Sequence, residues 1–215
     1  MNRMFFIFCF LLFCYELNSQ TNTISQTAKD LYFAGKYNEA IALADSQRKL
    51  QPENIENYIV IGWCYSRLGE YRNMIAITQQ GLRMQPANIS LLINLIEAYF
   101  SQRDYNNVIL AAERYLRYRG NSTDKYLPIA YYNLGLSFYN IKAYYKADIV
   151  LSVANNITPR DFKNVILLAE IKEALEEYKK SEELFTIAKE IQPNSSRAID
   201  GLARVKEKSS NDVDK

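Results

Sequence analysis

The sequence contains no histidine. That removes Ser-His-Asp and Cys-His catalytic arrangements and every metal site that needs an imidazole ligand. Cysteine is almost as scarce. Of three, Cys9 and Cys14 fall in the first fifteen residues, which leaves Cys64 alone in the remainder. One thiol cannot close an internal disulfide, so the fold must rest on its core. Cys64 stands in IGWCY, an apolar helical context without activating cations, and is expected to be buried and inert. Seven glycines and five prolines are few for an all-β chain of 215 residues, so the composition leans helical. A formal charge of +2 lacks the basic excess of a nucleic-acid-binding domain, and no nucleic-acid partner is expected. Neither G-x-x-x-x-G-K-S/T nor G-x-G-x-x-G occurs, so no phosphate-cradling loop is visible. Carboxylates are abundant, as in EALEEYKKSEE, but that spacing suits a solvated helix face with i,i+4 pairs. Nothing points to catalysis, a cofactor or a metal.

No apolar run reaches the ~20 residues that a membrane-spanning helix needs. The longest, Met4 to Tyr15, follows Arg3 and precedes the polar ELNSQ. This matches the hydrophobic region of a secretory signal, and residues 1–20 are expected to be a signal peptide or an N-terminal anchor. Three outcomes stay open: cleavage near Ser19 or Gln20, lipidation of Cys14 after cleavage before it, and retention as an anchor. Export, to a periplasmic or other extracytoplasmic space, is the expectation in each case. Either anchor would also bring membrane association through the N-terminus.

What the chain does have is repetition. LQPEN, MQPAN, ITPRD and IQPNS each place an aliphatic residue two positions before a proline. Pro52 to Pro86 is 34 residues and Pro159 to Pro193 is 34 again, while Pro86 to Pro159 is 73, twice 34 plus 5. Other residues keep the same beat. Tyr37, Tyr71, Tyr105, Tyr144 and Tyr178 recur, and three residues after them come Ala40, Met74, Val108, Ala147 and Ser181. Ahead of them, Ala28, Gly62, Ile96, Gly135 and Ala169 share one slot, where a small residue lets two helices approach closely. Proline cannot continue a helix, because it lacks the N–H and clashes with the preceding turn. Each Gln-Pro is therefore read as the end of a second helix and the start of the next unit.

A 34-residue period of paired helices resembles the tetratricopeptide repeat family. The resemblance implies an all-α, right-handed superhelical solenoid of antiparallel helix pairs. Five units are expected, at 21–54, 55–88, 89–122, 128–161 and 162–195. Residues 123–127 are a surplus loop, 196–209 an amphipathic capping helix, and 210–215 a frayed tail.

In that family the first helices line a concave surface that binds peptides. Projected onto this chain, the partner-binding candidates are Tyr32, Ile59, Trp63, Arg67, Ile93, Phe100, Tyr132, Leu136 and Tyr139. Lys29, Phe33, Ser66, Glu97, Asn140, Ile166, Glu170 and Glu173 share the face. Its middle is apolar, which marks an interaction surface, with Trp and Tyr as anchors. Lys29, Arg67 and Asn140 are too scattered for the family's carboxylate clamp. The expected function is a non-enzymatic adaptor for a protein or peptide. An outer-membrane assembly subunit and a carrier of lipid or small molecules are the alternatives, and the oligomeric state is left open.

Overall fold

The computed structural model describes residues 27–120 and 125–213, with side chains to residue 210. The N-terminal segment with Cys14 lies outside the described residues, as do residues 123 and 124 of the 123–127 loop. All regular structure among the described residues is helical. In chain order the helices are α1 (27–33), α2 (Tyr37–Leu50), α3 (Ile55–Leu68), α4 (Tyr71–Met84), α5 (Ile89–Ser101) and α6 (Tyr105–Tyr118). They continue with α7 (Leu127–Asn140), α8 (Tyr144–Ile157), α9 (Phe162–Ala174), α10 (Tyr178–Ile191) and α11 (Ser196–Val213). Each of the five periodic tyrosines opens a helix. The last helix runs on to Val213, so the expected frayed tail from residue 210 is helical for most of its length. Leu127, expected in the loop, opens α7, with Pro128 in the first turn where its missing N–H costs nothing.

The contacts divide the chain into two compact units, one ending at Gln102 and the other beginning at Arg103. In the first, α2 packs on α3, α3 on α4 and α4 on α5, and α3 also touches α5. In the second, α6 packs on α7, and each helix from α7 to α10 packs on its successor.

Two kinds of turn impose this order. Within each pair, one residue takes the left-handed conformation: Gly35 (φ 76°), Gly69 (73°), Arg103 (57°), Lys142 (61°) and Glu176 (61°). These occupy a single slot of the period. The next residue reaches back over the helix end, Lys36 N–H to Leu31 O (2.9 Å), Glu70 to Tyr65 (2.9 Å), Ala143 to Phe138 (2.8 Å) and Glu177 to Lys172 (2.9 Å). That six-to-one bond satisfies a carbonyl the helix leaves open. Glycine adopts the conformation freely; an L side chain pays about 1–2 kcal/mol. The packing thus imposes on Arg103, Lys142 and Glu176 a backbone they do not favour.

The second turn explains the repeated proline. Helices α2, α4, α8 and α10 stop at Leu50, Met84, Ile157 and Ile191, and proline follows at the second position of a four-residue turn. Its closing bonds run from Asn54 N–H to Gln51 O (3.2 Å), Asn88 to Gln85 (3.1 Å), Asp161 to Thr158 (3.3 Å) and Ser195 to Gln192 (3.1 Å). Proline's fixed φ suits that position. The closing residue then caps the next helix. Asn54 accepts from Glu56 N–H, Asn88 from Leu91 and Asp161 from Asn164, each at 3.1 Å. The phrase is therefore a turn and an N-cap together.

Between these turns the apolar slots fill the core. Ala40, Met74, Val108, Ala147 and Ser181 are completely buried, and Ser181 Oγ donates to Ala169 O at 2.8 Å. A methyl on Gly135 would collide with the buried Leu151 side chain, and one on Gly62 with Asn94. In the second unit Phe185 sits among Val165, Ile166, Ala169, Ala198 and Val205, so α11 closes the C-terminal core.

The shared left-handed slot predicts opposite effects for reciprocal substitutions. Gly69→Ala should lower the unfolding free energy in urea by about 1 kcal/mol, and Glu176→Gly should raise it by about 0.5 kcal/mol, the strain relieved exceeding the added chain entropy.

Candidate partner-binding face

In the first unit, the relevant face comes from α1, α3 and α5. Tyr32 is its centre. Its ring lies 5.6 Å from Trp63, 5.3 Å edge-on from Phe33 and 5.7 Å from Tyr37. Phe33 is 76% exposed, while Tyr32 and Trp63 are partly buried. Burial pushes the Tyr32 phenol above its usual pKa, against the pull of Arg67, so it stays a neutral hydroxyl at physiological pH. Arg67 is exposed, and its Nε donates to Tyr37 Oη at 3.3 Å. Lys29 forms an ion pair with Glu56, and Ser66 Oγ donates to the Glu97 carboxylate. Ile93 and Phe100 are partly buried. Ile59, expected on this face, is 6% exposed and belongs to the core.

In the second unit, Tyr132, Leu136 and Tyr139 are partly buried on α7. Burial raises both phenol pKa values. The Tyr139 ring lies 5.7 Å from Tyr144, as Tyr32 lies from Tyr37 in the equivalent slots. Asn140 turns back on its own helix, donating to Leu136 O at 2.7 Å. Ile166 is fully buried and is a packing residue, contrary to its expected place on the face.

Glu170 and Glu173 are engaged by the capping helix. Arg197 donates to both Glu170 oxygens at 2.5 Å. Arg204 Nη2 and Lys208 Nζ reach Glu173 at 2.8 and 3.0 Å. The Arg204 hydrogen bond, assisted by Lys208, holds the Glu173 carboxyl below its usual pKa.

These pairs obey a rule that a single helix does not reveal. Lys29–Glu56 and Glu170–Arg197 are separated by 27 residues, and Ser66–Glu97 and Glu173–Arg204 by 31. Against the 34-residue period, the partner lies seven or three residues earlier in the neighbouring first helix, two turns or one. Opposite charges at those spacings were the sequence signal for the three ion pairs among these contacts. Cys64 is completely buried, which pushes its thiol up to about 11, so it is protonated at neutral pH. Among the described residues, no group of cysteine, aspartate or glutamate is arranged to hold a metal ion.

No protein-family model matches the sequence, and no curated protein does. The arrangement of helices is the tetratricopeptide fold. It aligns with a crystal structure of MamA at 18% identity and TM-score 0.72, over 82% of this chain and 93% of that one. The MamA 41-end structure from Desulfovibrio magneticus RS-1 aligns at 16% identity and TM-score 0.72, over 82% and 97%. YrrB, described as a TPR protein with an unusual peptide-binding site, gives 17% and 0.72, over 82% and 88%. At these identities the likeness is one of fold.

The lowered pKa of Glu173 sets the sign of a pH effect. Its pairing contributes stability above the ordinary carboxyl value of 4.5 and is lost as pH falls through the lower folded value. Glu173→Gln should cost about 1 kcal/mol at pH 7. In urea titrations at successively lower pH, the gap to wild type should close below the ordinary carboxyl value.

Proposed function

We propose that the protein is a non-enzymatic scaffold, acting outside the cytoplasm, that holds a protein or peptide segment against the faces formed by its first helices. One observation carries this reading. Tyr32, Phe33 and Trp63 in the first unit, and Tyr132 and Tyr139 in the second, keep ring surface accessible where neighbouring acids and bases are largely paired with each other. Core packing has no use for exposed rings, whereas a partner gains most from aromatic anchors beside a polar rim. The peptide-binding site described for YrrB gives a precedent on the same fold.

Placement outside the cytoplasm rests on Arg3 and the apolar run Met4–Tyr15. Cell fractionation with mass analysis of the mature N-terminus tests it. Loss of the first ~20 residues supports a signal peptide, an acylated Cys14 supports a lipid anchor, and an intact cytoplasmic chain overturns export.

The binding role has a direct check. Trp63→Ala combined with Tyr132→Ala should abolish partner capture from the extracytoplasmic fraction, while helical content stays constant and melting shifts by only a few degrees. Captured outer-membrane precursors would assign the scaffold to assembly. Co-purifying lipid with no protein would make the chain a carrier instead.

A further inference from the structure

Arg67 stands apart from the other cations on these faces. Lys29 pairs with Glu56, Arg197 with Glu170, and Arg204 and Lys208 with Glu173. Among the described residues Arg67 carries no ion pair; its hydrogen bond goes to a neutral phenol, from Nε to Tyr37 Oη. Glu97 acts on it only through space, and one of its carboxylate oxygens accepts from Ser66. Tyr37 takes Nε of this exposed guanidinium, which leaves the Nη1–Nη2 edge for an end-on carboxylate held by two parallel hydrogen bonds. Tyr37 also packs on Tyr32, whose ring touches Phe33 and Trp63. The cation is therefore fixed to the edge of an aromatic platform by a single intervening ring.

We propose that Arg67 and the Tyr32–Phe33–Trp63 platform form a two-part subsite for an extended peptide bearing an aromatic or proline side chain within two residues of a carboxylate. The inference rests on the scaffold reading and names the chemistry that reading leaves open. The platform takes the planar or ring side chain, with its tilted and edge-on rings offering both faces and edges. Arg67 takes the acid from across the Tyr37 ring, one ring-to-ring step and one hydrogen bond from Tyr32, a reach that about two residues of extended chain with their side chains span. A lone guanidinium beside rings differs from a clamp of several cations: it selects an acid only next to a ring. The carboxylate comes from an Asp or Glu side chain or from a chain end.

The test uses the full chain and a synthetic array of random heptapeptides, displayed with free and with amidated C-termini. The bound peptides should be enriched in an acid within two residues of an aromatic or proline. Arg67→Gln should bind those peptides about tenfold more weakly and lose the acid preference while keeping the ring preference. Arg67→Lys should recover part of the affinity, and Trp63→Ala should lose both preferences, with circular dichroism confirming that each variant is folded. Loss on amidation alone supports the subsite with a chain-end carboxylate; loss on Asp→Asn or Glu→Gln supports it with a side chain. Acid-free peptides that bind wild type and Arg67→Gln equally, and fail on Trp63→Ala, would overturn the subsite and leave the scaffold standing. No bound peptide at all would overturn both.

Discussion

A pair of helices no longer than about four turns cannot bury its own apolar side, and most of this structure follows from that. Helices α2 to α10 are 13 or 14 residues long, and isolated helices of that length are marginal in water. Each must find a neighbour to cover Ala40, Met74, Leu151 or Phe185. Stacking the next pair supplies the cover and exposes a new apolar side, until an element with a wet outer face ends the series. Helix α11 does so: Ala198 and Val205 face Phe185, while Arg197, Arg204 and Lys208 reach outward to acids of α9.

The turns serve that stacking and are held by it. Left-handed backbone recurs at one slot whether the residue is glycine or a charged side chain. The conformation is therefore set by where the second helix must go, and glycine is the low-cost solution at two of five positions. At the other junction, the Gln-Pro or Thr-Pro phrase joins a proline turn to an asparagine or aspartate cap, so the end of one helix and the start of the next are specified within a few residues. Local chemistry and long-range packing agree there, as expected of a minimally frustrated chain.

The same geometry sorts surface from core on the side lined by the first helices. A residue on a first helix meets the neighbouring first helix one or two turns earlier, which puts Lys29 on Glu56 and Glu170 on Arg197. Charges satisfied in this way brace the stack. Rings beside them, above all Phe33 with three quarters of its surface exposed, keep their surface open to solvent. Ile59 and Ile166 show how fine the division is. They share a slot with Tyr132 and Ile93, yet they lie in the core while those two stay partly exposed.

The periodic residues alone determined the all-helical repeat architecture, the tyrosines that open the second helices, and the small residues at the close approach. They did so because each repeat restates the same local rules. Periodicity marks a slot but not its depth, so it could not tell Ile59 from Ile93. A helical wheel sees one helix, so it could not pair Glu173 with Arg204 and Lys208, or join Arg67 to Tyr37 beside the Tyr32 platform. Those outcomes depend on the stagger between neighbouring helices, which exists only once the chain has folded.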